Sequence, residues 1–376
     1  MNKRLSFLML ALVTIMSLLL ASCGQAATPV PTQPPATEAP TEVVATEPPT
    51  EAPTEAPTEA PPTPTPPPPP VCTKLPDAPA APAAGELGAA DNPIVITFVP
   101  SGDTGKITVA GTAIAECLSE MTGLNVKMEV GTTFAASIEA MGAEKAQVGF
   151  LNTFSALLAK EKYGIFPALV AIRKYSTNDI DPDNSLKDQL EPFYKGQFIA
   201  NVDSGISSFA DLKGKTFCFV DPNSTSGYIV PRIILKANGV DPDVDFAAVQ
   251  NAGSHPNVAI AVYKGDCDAG VTFINVLTDT SADLQATYPD ITDKVKVFAV
   301  SDRIPNDGMQ FIAGLDPKLQ AVIVEGMLAM AQDPGGKAVL KSLYNYDAFQ
   351  QVDANFYDDF ASVLSKAGVD PATLVK

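Results

Sequence analysis

Residues 215–239 read "KTFCFVDPNSTSGYIVPRIILKANG". The first part, "KTFCFV", is a short apolar, aromatic and β-branched run closed by Asp221-Pro222, which is a strand signal. "NSTSGYIVPRIILKANG" then carries helical apolar spacing and stops at Asn238-Gly239. Pro231 weakens the first turns of that helix because it has no N–H to donate. Ser224, Thr225 and Ser226 lie at the junction, followed by Gly227. Two readings stand for them. A single serine N-cap is common. Three adjacent hydroxyls and a glycine exceed what a cap requires, and they sit where a ligand would: at the carboxyl end of a strand in an α/β sheet. The helix N-terminus adds unpaired N–H groups and partial positive charge. The second reading is therefore an anion cradle of dipoles and hydroxyls, with no Lys or Arg between 221 and 231. In that cradle Gly227 leaves room for a ligand to come close.

The same alternation extends in both directions. "PIVITFVP" (93–100) is a β-branched run, and "GKITVAGTAIAECLSEMTG" (105–123) repeats apolar residues at Ile107, Ala110, Ile114, Leu118 and Met121 before Gly123. "NVKMEV", "VGFLN" and "ALVAIRKY" read as strands, with "FAASIEAMGAEKA" and "FSALLAKEKYG" as helices between them. Strands alternating with helices predict βαβ units around a mostly parallel sheet. Residues 176–197 are polar and irregular, a surface excursion. "FIANVD" and "KTFCFVDP" restart the alternation, "HPNVAIAVYKG", "DAGVTFIN" and "VKVFAVSD" continue it, and the last third is largely helical. The expectation is an α/β chain of two lobes. Lobe one spans 92–200 and lobe two 201–300, and 301–376 returns to lobe one with the C-terminal helices. Two crossings make a hinge, and hinges favour closure around a ligand.

The N-terminal quarter differs. Residues 1–22 combine Lys3, Arg4, an apolar run from Leu5 to Leu20 and "LAS" before Cys23. That is a secretory signal. Its ending resembles a bacterial lipobox, which implies cleavage before Cys23 and lipid attachment to that thiol. An uncleaved membrane helix is the competing reading, with a run near the lower length limit. Residues 23–91, with "TEAPTEAPTEAPPTPTPPPPP", hold almost nothing to bury and read as a disordered, extended tether.

A formal charge of −18 argues against a nucleic-acid partner. Cys72, Cys117, Cys218 and Cys267 remain for an exported compartment. No CxxC or Cys/His metal spacing occurs, so no metal or cofactor is expected. Cys117, within an apolar helical pattern, reads as a buried free thiol. Cys218 and Cys267 each open a strand in one lobe, which leaves a disulfide between them open.

His255, the one histidine, lies in "NAGSHPNVAIAV" just before a helix and just after the strand "FAAVQ". An imidazole there can donate to an anion, or be incidental. Taken together, "DPNSTSGYIVP", "NAGSHPNVAIAVYKGDCDAGVTF" and, earlier, "VGTTFAASIEAMGAEKAQVGFLNTFSALLA" resemble the solute-binding proteins of phosphate, phosphite and phosphonate ABC transporters. The likeness covers about residues 94–310. It implies a periplasmic-binding-protein type II fold with a ligand cleft at the hinge. The same resemblance implies that Ser224, Thr225, Ser226 and His255 hold phosphonate oxygens and that Tyr194 is a pocket tyrosine. Phe134 falls where the family often has a tyrosine, which removes one donor. Asp307, in "RIPNDGMQF", matches an acidic residue that faces the amine in aminophosphonate binders. Asn275 stands at another such position without charge, so that cage is incomplete. Asn275 and Asp307 also fit ordinary loop roles, Phe134 fits a core role, and Asn152 fits either the cleft or a helix cap.

The expected function is a monomeric, lipid-anchored binding protein on the outer face of the cytoplasmic membrane. It captures a phosphorus oxyanion for an ABC permease and ATPase. A ligand sensor of the same fold, reporting to a membrane signalling partner, is the alternative. An exported hydrolase lacks support, because no GxSxG elbow or metal cluster accompanies the serines.

Overall fold

The computed structural model describes residues 67–371. The signal, Cys23 and most of the tether lie outside that range. In chain order the strands are β1 (Ile94–Phe98), β2 (Val126–Val130), β3 (Val148–Leu151), β4 (Phe166–Lys174), β5 (Leu190–Glu191), β6 (Phe193–Tyr194), β7 (Gly196–Asn201), β8 (Thr216–Phe219), β9 (Ala248–Asn251), β10 (Ala269–Phe273), β11 (Val295–Val300), β12 (Ile304–Pro305), β13 (Gly308–Phe311) and β14 (Ala348–Gln351). They form two α/β lobes. The first sheet runs β14-β4-β13-β3-β1-β2, with β5 beside β4, and the second runs β11-β7-β10-β8-β9.

Local patterns explain the layers. β1 is apolar except for Thr97 and almost wholly buried, as a strand covered on both faces must be. β2 alternates at the sheet edge. The helix Thr104–Thr122 starts where the Asp103 carboxylate accepts from Lys106 N–H and stops at Gly123 with φ 75°. Between those caps it lays Ile107, Ala110, Ile114, Leu118 and Met121 on the sheet. Phe98 stacks on Phe150 in lobe one, and Phe217 on Phe246 in lobe two.

The mostly parallel sheet is corrected to a mixed one in each lobe. β1 pairs parallel with β2 and β3, and β8 with β9 and β10. β13 runs antiparallel between β3 and β4, β14 antiparallel to β4, and β7 antiparallel to β10 and β11. The parallel strands point their carboxyl ends at the cleft. A strand that has just crossed between lobes starts from the cleft and runs the other way. The second sheet also begins earlier than expected, because β7 starts at Gly196.

Both crossings meet in an antiparallel ribbon, β6 with β12, where Ile304 pairs with Tyr194 and Pro305 with Phe193. The excursion between β4 and β6 is pinned to this hinge. Lys195, almost completely buried, pairs with Asp181 at 2.7 Å and Asp183 at 2.8 Å, and Arg303 closes on Asp183 at 2.9 Å.

Two expectations about the cysteines and the tether change. Cys117 is bonded to Cys72 rather than free, and a second disulfide joins Cys218 to Cys267. The first bridge ties residues 67–91, expected within the disordered tether, onto lobe one. There Leu75 is buried and donates its N–H to Met121 O at 2.8 Å, while Val71 N–H donates to Asp333 at 3.1 Å.

Candidate functional site

The 221–231 stretch departs from a regular helix. Thr225–Ile229 forms a π-turn with Ile229 N–H donating to Ser224 O at 3.0 Å, and the helix Val230–Ala237 follows. Pro231 has no N–H for the carbonyl four residues back. That carbonyl, Gly227 O, instead accepts from Val220 N–H at 3.0 Å, which fastens the turn to the strand end. Gly227 has a packing role, not the expected ligand-facing one: a Cβ there would stand 2.3 Å from Val220 Cγ2 and 2.8 Å from Ser224 Oγ.

The hydroxyls split by direction. Ser224 and Ser226 line a cavity of about 100 Å³ between the lobes, several times the roughly 10–15 Å³ that admits one water. Thr225 does not line it. Its Oγ1 accepts from Phe154 N–H of lobe one at 2.9 Å. Asn223 O, on the same side, accepts from Asn152 Nδ2 at 2.9 Å. Asn152 does both jobs the sequence left open, since its Oδ1 caps the helix Thr153–Tyr163 through Ser155 N–H and the residue also borders the cavity.

His255 is buried, and burial alone holds its pKa down to about 3. It is therefore neutral at physiological pH. Its Nδ1 accepts from Phe273 N–H at 3.0 Å, which assigns the proton to Nε2. Nε2–H then points to Ser224 Oγ, at a long 3.5 Å. Ser224 Oγ also accepts from Gly227 N–H at 3.2 Å. With both lone pairs engaged, the Ser224 hydroxyl hydrogen is left to donate. Ser226 Oγ accepts one bond, from Tyr194 O–H at 3.2 Å, which leaves its own hydrogen free to donate. Burial pushes the Tyr194 phenol up to about 12, so it stays protonated. Ser224 is thus held as a donor, and Ser226 has a hydrogen to give.

Five helix or turn starts contribute a residue to the lining: Asp103, Phe134, Asn152, Ser224 and His255. Their N-terminal ends place partial positive charge around one small volume. Phe134 is fully buried and gives the cavity an apolar wall.

Asp307 lines the cavity, and its charge is already answered. Oδ1 accepts from Arg173 Nη2 at 2.5 Å and Oδ2 from Tyr346 O–H at 2.5 Å. The Arg173 guanidinium lies 4.8 Å from the Tyr346 ring centroid and 5.7 Å from that of Tyr194. Asn275 does not line the cavity. It has φ 60°, and its amide donates to Thr177 O, tying the excursion to lobe two. Sequence reasoning missed Arg173, Asp279, Tyr344 and Asn345, which all border the cavity. For Arg173 a signal existed: it breaks an apolar run near a strand's carboxyl end, the edge that faces a cleft.

This fold and cavity define a two-lobed α/β ligand-binding protein. Residues 96–357 match the model of the periplasmic substrate-binding proteins of phosphonate ABC transporters, and the chain belongs to that family. It is 27% identical over 198 residues to the phosphate-import protein PhnD of Mycolicibacterium smegmatis, covering 50% of this chain and 58% of that one. To the phosphonates-binding periplasmic protein of Escherichia coli it is 27% identical over 238 residues, 62% and 64% of the two chains. The chain thus spans less than two thirds of either relative. The solved structure of PhnD1 from Prochlorococcus marinus with methylphosphonate shares the fold, with a TM-score of 0.60 and 18% identity over 73% of this chain and 98% of that one.

Proposed function

We propose that the protein is the extracytoplasmic binding component of an ABC importer and captures a small phosphorus oxyanion between its lobes. Signal, Cys23 and tether make it lipid-anchored, and it hands the ligand to a permease and its ATPase. One observation carries this reading: Ser224 is held as a donor and Ser226 has a free hydrogen to give, within a small interlobe cavity ringed by helix N-termini. A binding role also fits the histidine. A base for Ser224 must offer a lone pair, but His255 faces it with Nε2–H. Arg173 adds a guanidinium to a site expected to be uncharged, yet Asp307 neutralises it, so hydroxyls and dipoles still hold the anion.

The test is calorimetry of the purified protein with phosphate, phosphite and methylphosphonate. Binding at micromolar concentrations is expected for at least one, weakened by Ser226→Ala. Silence from all three would refute the proposal.

A further inference from the structure

Beside the cavity lies a larger groove of about 560 Å³, also walled by both lobes: Thr104 and Thr132 come from lobe one, Asn257 and Asp283 from lobe two. Gly102 and Asp103 border both volumes, so the two adjoin. Lys106 lines the cavity and Asp283 lines the groove. Their ion pair, at 3.1 Å, stands where the two volumes meet.

Lys106 differs from the other cations at the cavity. Arg173 pairs with Asp307 inside lobe one, so motion of the lobes leaves that pair intact. Lys174 enters no ion pair among the described residues. Lys106 is held by an acid of the opposite lobe, and separating the lobes sets its ammonium free. Asp283 also ends a loop, 279–283, whose Asp279 and Ser281 line the cavity. The loop is braced internally: Asp279 Oδ1 accepts from Ser281 N–H at 2.9 Å and Ala282 N–H at 3.1 Å, and Asp279 O accepts from Asp283 N–H at 2.8 Å. At its start Asn345 Nδ2 of lobe one donates to Asp279 Oδ2 at 2.5 Å. The loop is thus a braced strap fastened to lobe one at both ends.

We propose that the groove is the ligand's entrance and that Lys106 changes partner there. With the lobes apart, its ammonium draws the oxyanion in, a local attraction that the formal charge of −18 otherwise opposes. With the lobes closed, Asp283 takes the ammonium and the strap 279–283 shuts the passage. The oxyanion is then left to hydroxyls and dipoles. This inference rests on the oxyanion reading of the cradle. It assigns Lys106 to arrival and the Lys106–Asp283 pair to retention.

Stopped-flow tyrosine fluorescence of the purified protein, with inorganic phosphate, phosphite and methylphosphonate in turn, separates the two roles. Tyr194 at the cavity supplies the signal. Lys106→Gln should slow association by about two- to tenfold at about 10 mM salt, and the deficit should shrink as salt rises. Lys127→Gln removes the same charge from the exposed face of the edge strand β2, away from both volumes, and should not slow association. Asp283→Asn suits the left-handed backbone there, φ 52°. It should leave association no slower and speed dissociation by about two- to fivefold, the range of a part-exposed pair. Lys106→Gln should speed dissociation equally, and the double variant should dissociate no faster than either single one, because one pair is lost only once. Association unchanged in Lys106→Gln, or slowed as much by Lys127→Gln, would overturn the capture role. Dissociation unchanged in Asp283→Asn, or effects that add in the double variant, would overturn the latch. No binding of any of the three ligands by calorimetry would refute the cradle, and this inference with it.

Discussion

His255 supplies a prediction whose size follows from burial. The imidazole pKa is about 3 in the fold, against 6.5 for a free side chain. The fold therefore prefers the neutral form, and acid stabilises the unfolded chain first. Stability from this residue is fully present above pH 6.5. It is lost at about 1.4 kcal/mol per pH unit as pH falls toward 3. Between pH 7 and 5 the loss is about 2 kcal/mol. Carboxylates also contribute on the acid side, because Asp181, where the Lys195 bond outweighs burial, and Asp183, bonded to Arg303 and Lys195, have lowered pKa values. A comparison isolates the histidine: His255→Gln keeps an acceptor for Phe273 N–H and a donor for Ser224 but does not titrate. Urea unfolding of both proteins, without ligand, at pH 7, 6 and 5 should show the stability difference shifting by about 2 kcal/mol in favour of the variant. Parallel pH profiles would refute the assignment of a buried, neutral His255.

Two further outcomes follow. Replacing Cys72 and Cys117 together by alanine removes a link across 45 residues, and loop-closure entropy puts the loss of unfolding free energy at about 4 kcal/mol; an unchanged denaturation midpoint would mean that residues 67–91 pack without the bridge. Thr225→Val leaves the buried Phe154 N–H without its acceptor, at about 1–3 kcal/mol against the closed form; small-angle scattering should show a larger radius of gyration, and an unchanged radius would contradict the latch.

The elements that sequence reveals are those whose signal is local. β1 and the helix Thr104–Thr122 carry their own periodicity and caps, and "NSTSG" announces a special turn by composition. What stayed hidden depends on partners far along the chain. β13 is four residues long, and its place between β3 and β4 is set by the return crossing. The Cys72–Cys117 bridge requires that a proline-rich segment fold back on a helix, which nothing in either segment states. Thr225 and Asn275 are polar residues in loops, with the same appearance whether they face a ligand or the other lobe. Only the three-dimensional arrangement shows that one latches the lobes and the other holds an excursion.

The opening stretch gains most from this distinction. Along 223–226 the roles alternate where the chain passes from the extended Ser224 into the π-turn that begins at Thr225. Asn223 O and Thr225 Oγ1 face lobe one and receive Asn152 and Phe154, while Ser224 and Ser226 face the cavity. Four consecutive residues thus combine contact with the other lobe and a face toward the cavity. A ligand that orders Ser224 and Ser226 also orders the backbone presenting Asn223 and Thr225, so its binding energy goes directly into the closed form. Neither lobe offers the whole site alone. Lobe two holds the hydroxyls and His255, and lobe one holds Phe134, Asn152 and Asn345. Under the proposed function, affinity is then conditional on closure, because prying the lobes apart dismantles the site.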